Sequence, residues 1–189
     1  MSDTTLEDNL RFFRALLTRP RTVGALAPSG PHLARAMAAQ IQAKLIEEGG
    51  PVLELGPGSG SLTQGILERV PASQLTCIEY DHDLCQLLKA RFHGVNVIHG
   101  DAFNLEKTLG HGEPFAAIIS GLPLLNFPMA DRQRLMETAT ARLLPGGAFV
   151  QFSYGLAPSV PAPRGFTVSR AATVWANVPP ARVYVYRKA

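Results

Sequence analysis

A short apolar segment that runs directly into a glycine-rich turn restricts the fold of this chain more than any other feature. Residues 52–61 read VLELGPGSGS. The apolar half has the length of a buried strand, and the turn after it opens a helix. Glycines at 56, 58 and 60 allow a sharp bend and let the backbone approach a ligand closely, with the amide dipoles of the helix start facing it. The segment therefore predicts a ligand-binding strand–turn–helix unit, although a tight turn without a ligand remains the alternative.

Strands and helices alternate along the rest of the chain. We predict helices at 5–18, 31–48, 60–69, 82–92 and 129–143, and strands at 51–55, 74–79, 95–99, 115–120, 147–154, 166–174 and 181–187. This order is typical of a parallel sheet with helices on both faces. The last two strands are separated only by a loop containing Pro179 and Pro180, so they should pair as an antiparallel hairpin at one side of the sheet. We expect one Rossmann-like α/β domain over residues 1–189, with a seven-stranded, mostly parallel sheet.

Composition limits the classes of protein to which the chain can belong. With 189 residues, 46% of them hydrophobic and 17% charged, it has the size and composition of one globular domain. Cys77 and Cys85 have no CxxC spacing and no nearby ligand cluster, so we expect no metal site. Asp3, Glu7 and Asp8 stand where a signal peptide would be basic, and no stretch approaches the roughly 20 apolar residues of a spanning helix. We therefore expect a protein that is neither secreted nor integral to a membrane.

The positive charge is concentrated at the two ends of the chain. The formal net charge is only +3, but no Asp or Glu occurs from Arg164 to the last residue. Four arginines lie near the start, at positions 11, 14, 19 and 21. A basic pole can attract the phosphate of a lipid or of a nucleic acid. Scattered surface charge that serves solubility is the alternative.

Carboxylates accompany three successive strands. Glu54 lies in the first strand, and Glu79 ends the second, about 20 residues after the turn, where a carboxylate can accept hydrogen bonds from ribose hydroxyls. Asp101 follows the third strand, with Ala102 and Phe103 after it. Because ligands of open α/β sheets bind outside the carboxyl ends of the strands, we expect the three carboxylates to converge on one site. For Asp101 alone, a role as a turn residue is the alternative.

The glycine spacing distinguishes two classes of nucleotide-binding protein. A dinucleotide fingerprint would have Gly or Ala at position 61, where this chain has Ser61. The pattern GxGxG, with Glu54 two residues before it, resembles motif I of class I S-adenosylmethionine-dependent methyltransferases, and HGDAF at 99–103 resembles the element that holds adenine in that family. The candidate cofactor-binding residues are Ser29, Glu54, Gly56, Pro57, Gly58, Gly60, Glu79, Tyr80, Asp101, Ala102, Phe103 and Ser120.

The segment after the fourth strand bears on the methyl acceptor. Residues 118–128 read IISGLPLLNFP. Enzymes that methylate adenine or cytosine amines have Asn or Asp and an aromatic residue where this chain has Gly121 and Leu124. A pocket lined by apolar groups and carbonyls suits an aliphatic amine better than a flat base. We take the Leu122 carbonyl and Tyr154 as candidate catalytic groups and Arg182 as a weaker phosphate ligand, although a half-buried tyrosine and a solvated arginine are ordinary structural roles.

An amphipathic helix is predicted within residues 1–20. Leu6, Leu10, Phe13 and Leu17 share one face of it, and Arg11 and Arg14 lie beside that face. Such a helix can lie on an anionic bilayer. It can equally pack over the cofactor site as a lid.

Four segments together resemble the bacterial phospholipid N-methyltransferases, a class I methyltransferase family related to the rRNA adenine dimethylases. They are TVGALAPS at 22–29, LELGPGSG at 53–60, SGLPLLNF at 120–127 and VWANVPPARVY at 174–184. The resemblance implies transfer of methyl groups from S-adenosylmethionine to phosphatidylethanolamine and its methylated forms, toward phosphatidylcholine.

The same resemblance implies partners and a location. It implies a phospholipid substrate and docking on an anionic membrane through the N-terminal helix. Because Gly121 and Leu124 replace the polar and aromatic residues of base-methylating enzymes, we expect no stable nucleic-acid partner. The expected location is the cytoplasm, peripherally on the inner face of the cell membrane. Methylation of rRNA adenine or of a small-molecule amine remains the alternative function.

Overall fold

The structure is a computed structural model that describes residues 30–177 and 179–189. Its strands are β1 (Val52–Leu55), β2 (Leu75–Glu79), β3 (Asn96–His99), β4 (Phe115–Ser120), β5 (Leu143–Ser153), β6 (Phe166–Val174) and β7 (Ala181–Lys188). Its helices are α1 (Pro31–Ala38), α2 (Ala43–Glu47), α3 (Ser61–Leu67), α4 (His82–Arg91), α5 (Leu105–Leu109) and α6 (Met129–Thr140). Two short 3-10 helices span Ala72–Gln74 and Leu124–Asn126. The predicted helix at 5–18 lies outside the described residues.

One seven-stranded sheet has the order β3-β2-β1-β4-β5-β7-β6, which confirms the predicted sheet. Strands β1 to β5 are parallel to one another. From β1 the chain moves outward through β2 and β3 and then returns to place β4 on the other side of β1. The strand order therefore reverses between β1 and β4. In sheets of this kind the ligand crevice lies at such a reversal, outside the carboxyl ends of the strands.

The C-terminal hairpin is present as predicted, with β7 antiparallel to β6. Strand β7 also pairs antiparallel with β5, so it lies between β5 and β6. Consequently β6, at the edge of the sheet, runs in the same direction as β1 to β5. The loops after β4, β5 and β6 all leave the sheet at the carboxyl edge, on the same side as the glycine turn.

Helices cover both faces of the sheet, as expected. On one face, side chains from α1, α3 and α4, among them Leu33, Ile66 and Leu88, pack on the strands. On the other face, α5 and α6 contribute Leu105 and Leu135 to a second cluster. Strand β4 is buried along its whole length, which explains why it reads as a continuous apolar run.

Several predicted boundaries were wrong. The single helix expected at 31–48 is interrupted between α1 and α2, where Gln42 has an extended backbone and Ile41 packs into the core. The helix expected to reach residue 143 ends at Thr140, and β5 begins at Leu143 instead of 147. Helix α5 was not predicted, because five residues are too few for a periodic apolar pattern.

Two findings concern the described residues as a group. Within them, no helix is both long and apolar enough to cross a membrane. In the same part of the chain, no three His, Cys, Asp or Glu side chains cluster as metal ligands would.

Candidate active site

The glycine turn after β1 has a backbone that only glycine adopts easily. Gly56, Gly58 and Gly60 have φ angles of 66°, 58° and 87°, all in the left-handed region. A Cβ atom on Gly56 would lie 2.5 Å from Leu122 Cδ2, and one on Gly60 would collide with the Phe92 ring. The turn ends where Gly60 caps α3. The predicted strand–turn–helix unit is therefore confirmed.

The Glu79 carboxylate is fixed against this turn. Its Oε2 accepts a hydrogen bond from the Gly58 N–H (3.0 Å), and its Oε1 accepts one from the Asp81 N–H (2.9 Å). Burial raises the pKa of Glu79, and these backbone donors oppose the rise. Each carboxylate oxygen can accept a further hydrogen bond. The arrangement suits the predicted contacts with ribose hydroxyls, which stay a prediction.

Glu54 lies beneath the start of α3 and is fully buried. Its Oε2 accepts hydrogen bonds from the Thr63 hydroxyl (2.7 Å) and the Cys77 thiol (3.3 Å). Its Oε1 has no hydrogen-bond partner within the described part of the chain. Burial raises the pKa of Glu54 to about 7. Glu54 thus links α3 to β2, and its direct contact with the cofactor stays a prediction.

The element after β3 combines a turn with an apolar wall. Asp101 Oδ1 accepts a hydrogen bond from the Phe103 N–H at 2.8 Å, as a turn residue does. Burial raises the pKa of this half-buried carboxyl group. Ala102 and Phe103 are buried, and the Phe103 ring lies 4.6 Å from the Phe127 ring between centroids. The turn role of Asp101 is established, and its contact with adenine stays a prediction.

The remaining predicted cofactor residues lie around the same edge, with one exception. The Pro57 carbonyl accepts the Gly60 N–H and so closes the turn. Tyr80, directly after β2, is 43% exposed. Ser120 ends β4 fully buried, and its hydroxyl accepts the Leu122 N–H at 3.4 Å. Ser29 lies outside the described residues.

We refer to residues 121–128, which follow β4, as the acceptor element. It is packed tightly against the glycine turn. The Gly121 N–H donates to the Leu55 carbonyl (2.8 Å), and a Cβ atom on Gly121 would lie 2.6 Å from the Gly56 carbonyl oxygen. No side chain fits at position 121 with this backbone. The Leu122 carbonyl, our candidate for holding an amine, already accepts the Leu124 N–H at 2.9 Å and the Gln151 side-chain amide at 2.9 Å. Its role toward a substrate stays a prediction.

Gln151 is a site residue that the sequence analysis missed. It lies on β5, opposite Ser120 in the register, and is fully buried. Its Nε2 donates to the Leu122 and Phe152 carbonyls at 2.9 and 2.8 Å, while its Oε1 has no partner among residues 30–177 and 179–189. An amide within the apolar run AFVQF was the available signal, because a buried polar group needs a partner.

Tyr154 directly follows β5 and is linked to the C-terminal hairpin. Its hydroxyl accepts a hydrogen bond from Asn177 Nδ2 (3.3 Å), and Asn177 Oδ1 accepts the Gly30 N–H at 3.4 Å. Burial raises the pKa of Tyr154. Nearby, the half-buried Arg182 donates from Nη1 to the Gly155 carbonyl at 3.3 Å. The sequence analysis missed Asn177, which connects three distant segments.

The strand order, the glycine turn and the carboxylate held on it define the class I methyltransferases that use S-adenosylmethionine. The chain is 30% identical over 154 residues to ornithine lipid N-methyltransferase of Singulisphaera acidiphila, and the match covers 78% of this chain and 79% of that one. It belongs to the family of S-adenosylmethionine-dependent methyltransferases that contains this enzyme.

Other relatives match a smaller part of the chain. The family model for ribosomal RNA adenine dimethylase matches residues 33–119. Ribosomal RNA small subunit methyltransferase A of Chlorobaculum parvum is 35% identical over 102 residues, which is 50% of this chain but only 36% of that protein. The likeness to the rRNA enzymes is thus partial on both sides.

Solved structures share the fold at low sequence identity. The N-methyltransferase NodS from Bradyrhizobium japonicum, in complex with S-adenosylhomocysteine, superposes with a TM-score of 0.65 at 15% identity, over 95% of this chain and 98% of that one. The glycopeptide N-methyltransferase MtfA, complexed with S-adenosylmethionine, gives a TM-score of 0.63 at 18% identity, over 89% and 99% of the two chains. Both confirm the Rossmann-like methyltransferase fold.

Proposed function

We propose that this enzyme methylates the amine of a membrane lipid headgroup, namely the ethanolamine of phosphatidylethanolamine and of its methylated forms. The proposal rests on how much of the chain matches the lipid enzyme and how much matches the rRNA dimethylase model. The lipid enzyme matches 78% of the chain, whereas the rRNA dimethylase model ends at residue 119, before the acceptor element begins. The rRNA dimethylase model therefore matches a part of the chain that does not include the acceptor element.

The acceptor element supports an aliphatic amine over a nucleobase. Gly121 has no room for the polar side chain that base-methylating enzymes use at this position. Leu124, where those enzymes have an aromatic platform, is only 1% exposed and belongs to the core. An aliphatic amine needs neither a stacking platform nor contacts along a base edge.

The residues of the site fit S-adenosylmethionine, which when bound supplies an electrophilic methyl group on a sulfonium sulfur. Gly56, Gly58 and Gly60, which carry no side chains, allow close approach of the backbone, and Glu79 keeps acceptor capacity beside Gly58. Tyr80 directly follows β2, and Phe103 lies in the turn after β3, on the same carboxyl edge. We assign the ribose hydroxyls to Glu79 and the adenine ring to the wall formed by Ala102 and Phe103.

On the acceptor side, the chain must present a neutral amine in line with the methyl group. A primary amine has a pKa near 10, so it must lose a proton before attack. Burial among apolar side chains such as Leu122 and Leu124 lowers the pKa of an amine and favours the neutral form. Gln151 Oε1 and the Tyr154 hydroxyl are acceptors for its N–H groups. The nitrogen would form the new C–N bond as the methyl–sulfur bond breaks, with the neutral thioether S-adenosylhomocysteine as leaving group, and the proton that the amine loses beforehand passes to water. Alignment alone can contribute on the order of 7 to 11 kcal/mol in ideal systems.

The proposal includes where the enzyme works. We place it on the inner face of the cell membrane, docked through the amphipathic helix that the sequence predicts within residues 1–20, which lie outside the described residues. A lipid amine is held at the bilayer surface, so the active site must come to it. The basic ends of the chain suit an anionic surface.

Methylation of rRNA adenine is the second candidate, favoured by the dimethylase family match. One experiment separates the candidates: the full chain with methyl-labelled S-adenosylmethionine and, separately, phosphatidylethanolamine vesicles, ornithine-lipid vesicles, free ethanolamine and small-subunit rRNA. We expect label in phosphatidylethanolamine, with mono-, di- and trimethylated products by mass spectrometry. Label only in ornithine lipid would overturn the ethanolamine assignment while keeping the lipid class. Label only in RNA or in free ethanolamine would overturn the proposal.

A further inference from the structure

Large apolar side chains are exposed along one half of the sheet's carboxyl edge. Leu125 is 46% exposed, Leu156 83% and Trp175 74%. They follow β4, β5 and β6, whose carboxyl ends all lie at this edge. We refer to these three residues as the apolar rim. Exposed apolar groups that gather at one place mark interaction sites more often than isolated ones do.

The loops that carry the apolar rim are fastened to one another. A Cβ atom on Gly155 would lie 3.6 Å from Leu125 Cδ1, so the first two loops touch. The Tyr184 hydroxyl donates to the Leu156 carbonyl at 2.8 Å. Tyr154, in the second loop, is bonded to Asn177 in the third at 3.3 Å. The exposed side chains of the rim therefore extend from loops that are held in place by these contacts.

Charge divides the carboxyl edge into two halves. The loop segments 121–128, 154–163 and 175–180 contain no Asp, Glu, Lys or Arg. The other half, after β1 to β3, carries the carboxylates described above. From residue 164 onward every charged side chain is basic. Within this segment, Arg182 lies at the carboxyl edge, paired in register with Ser153, whereas Arg187 and Lys188 lie at the opposite end of β7. Uncharged apolar loops with an arginine beside them complement the interface of an anionic bilayer.

We propose that the apolar rim inserts into the interface of an anionic lipid bilayer and so presents the acceptor element to lipid headgroups. Tryptophan favours the membrane–water interface because its ring is apolar and its N–H is polar. The rim adjoins the β1–β4 reversal, so a headgroup amine can reach the acceptor element while its acyl chains stay in the bilayer. This inference rests on the proposed function, and it names residues other than those of the helix predicted within residues 1–20.

Trp175 is the only tryptophan of the chain, so its fluorescence reports directly on the apolar rim. The probe is vesicles of phosphatidylglycerol and phosphatidylcholine, which contain no amine for methylation. We expect the emission of the full chain to shift to the blue on addition of vesicles. We also expect bilayer-embedded brominated lipids to quench it. An emission maximum that does not change on addition of vesicles would overturn the proposal.

Matched variants test the energetic contribution of the rim. Leu156→Asp and Trp175→Asp each remove an exposed apolar group, and we expect about tenfold weaker sedimentation with these vesicles. Leu87→Asp is the control, because Leu87 is as exposed as Leu125 of the rim (45% and 46%) but lies on α4, beside β2 and β3. All three variants should keep the melting temperature. Equal loss of binding in the control, or no loss in the rim variants, would overturn the proposal.

Two further outcomes identify other occupants of the rim. If the emission is already blue-shifted without lipid and stays so on dilution, the chain's own first 29 residues cover Trp175. If the blue shift disappears on dilution, a second copy of the chain covers it. Either would overturn membrane insertion of the rim. Failure of the proposed function can be distinguished from failure of rim insertion, because Trp175 emission is measured without any methyl transfer. If phosphatidylethanolamine in vesicles is methylated while Trp175 stays in water, the insertion of the rim is refuted and the proposed function stands.

Discussion

Gln151 Nε2 donates a hydrogen bond to the Leu122 carbonyl oxygen over 2.9 Å, and both residues are buried. This bond joins β5 to the acceptor element, which in turn packs on the glycine turn through Gly121. The orientation of the acceptor element therefore depends on a side chain from a neighbouring strand. A change at Gln151 should affect methyl transfer more than cofactor binding.

Gln151→Leu should lower kcat for lipid methylation by about tenfold, because the Leu122 and Phe152 carbonyls lose their donor and the amine loses the Oε1 acceptor. The affinity for S-adenosylhomocysteine should change little. Steady-state kinetics and calorimetric titration measure the two effects, with the exposed Gln133→Leu as the control. A fall in cofactor affinity as large as the fall in kcat would mean that Gln151 acts on the fold as a whole.

Glu79→Gln should weaken S-adenosylhomocysteine binding by roughly 10- to 100-fold. The amide places an NH₂ group against the N–H of Gly58 or Asp81, where the carboxylate accepted a hydrogen bond, and it loses an acceptor for ribose. Calorimetric titration checks the affinity, and the exposed Glu106→Gln serves as the control. Unchanged affinity would remove Glu79 from the cofactor site.

Glu54 should make the protein less stable as the pH rises from about 4.5 to 7. Burial raises its pKa in the folded chain from 4.5 to about 7, so the folded state binds the proton more tightly than the unfolded chain does. The penalty for ionising this group is absent below pH 4.5 and complete above pH 7, on the order of 3 kcal/mol.

Chemical denaturation between pH 4.5 and pH 8 tests this effect with Glu54→Gln. The free energy of unfolding of Glu54→Gln minus that of the parent should increase as the pH rises. The exposed Glu47→Gln on α2 should show no such trend. A constant difference between Glu54→Gln and the parent across this range would contradict the prediction.

Tyr154→Phe should lower kcat/KM for the lipid by about tenfold, because the hydroxyl is lost as an acceptor for the amine or as a donor to phosphate. Binding of S-adenosylhomocysteine should stay unchanged. Tyr186→Phe is the control, since it also loses one hydrogen bond, to the Val160 carbonyl. Asn177→Ala keeps the Tyr154 hydroxyl but removes its partner, so a smaller loss is expected. If Tyr154→Phe has full activity, the Tyr154 hydroxyl has only a structural role.

Arg11→Glu combined with Arg14→Glu should reduce sedimentation with anionic vesicles and make the residual binding less salt-sensitive, since each basic residue near the surface contributes roughly 1 kcal/mol. Activity on a detergent-dispersed substrate should suffer less than activity on vesicles. Arg69→Glu with Lys89→Glu changes the net charge equally and serves as the control. Full sedimentation of the Arg11, Arg14 variant at low salt would leave the apolar rim as the main docking surface.

Much of the fold and of the cofactor half could be predicted because the relevant signals are local. The apolar run before Gly56, the left-handed turn and the helix after it involve adjacent residues, and their sterics are the same in any context. The carboxylates were found because parallel strands end at a common edge. The break between α1 and α2 was missed because it follows from burying Ile41, which depends on the surrounding core.

The sequence by itself determined the strand–turn–helix unit, the alternation of elements and the positions of Glu54, Glu79 and Asp101. Only the tertiary structure decided which distant groups meet. Gln151 reaches a carbonyl 29 residues earlier in the chain, and Asn177 reaches Gly30 across 147 residues. The apolar rim likewise exists only because β7 lies between β5 and β6, which brings the loop after β6 to the same edge as the loops after the parallel strands β4 and β5. Such contacts depend on strand order and register, which arise from packing of the whole sheet and not from any local pattern.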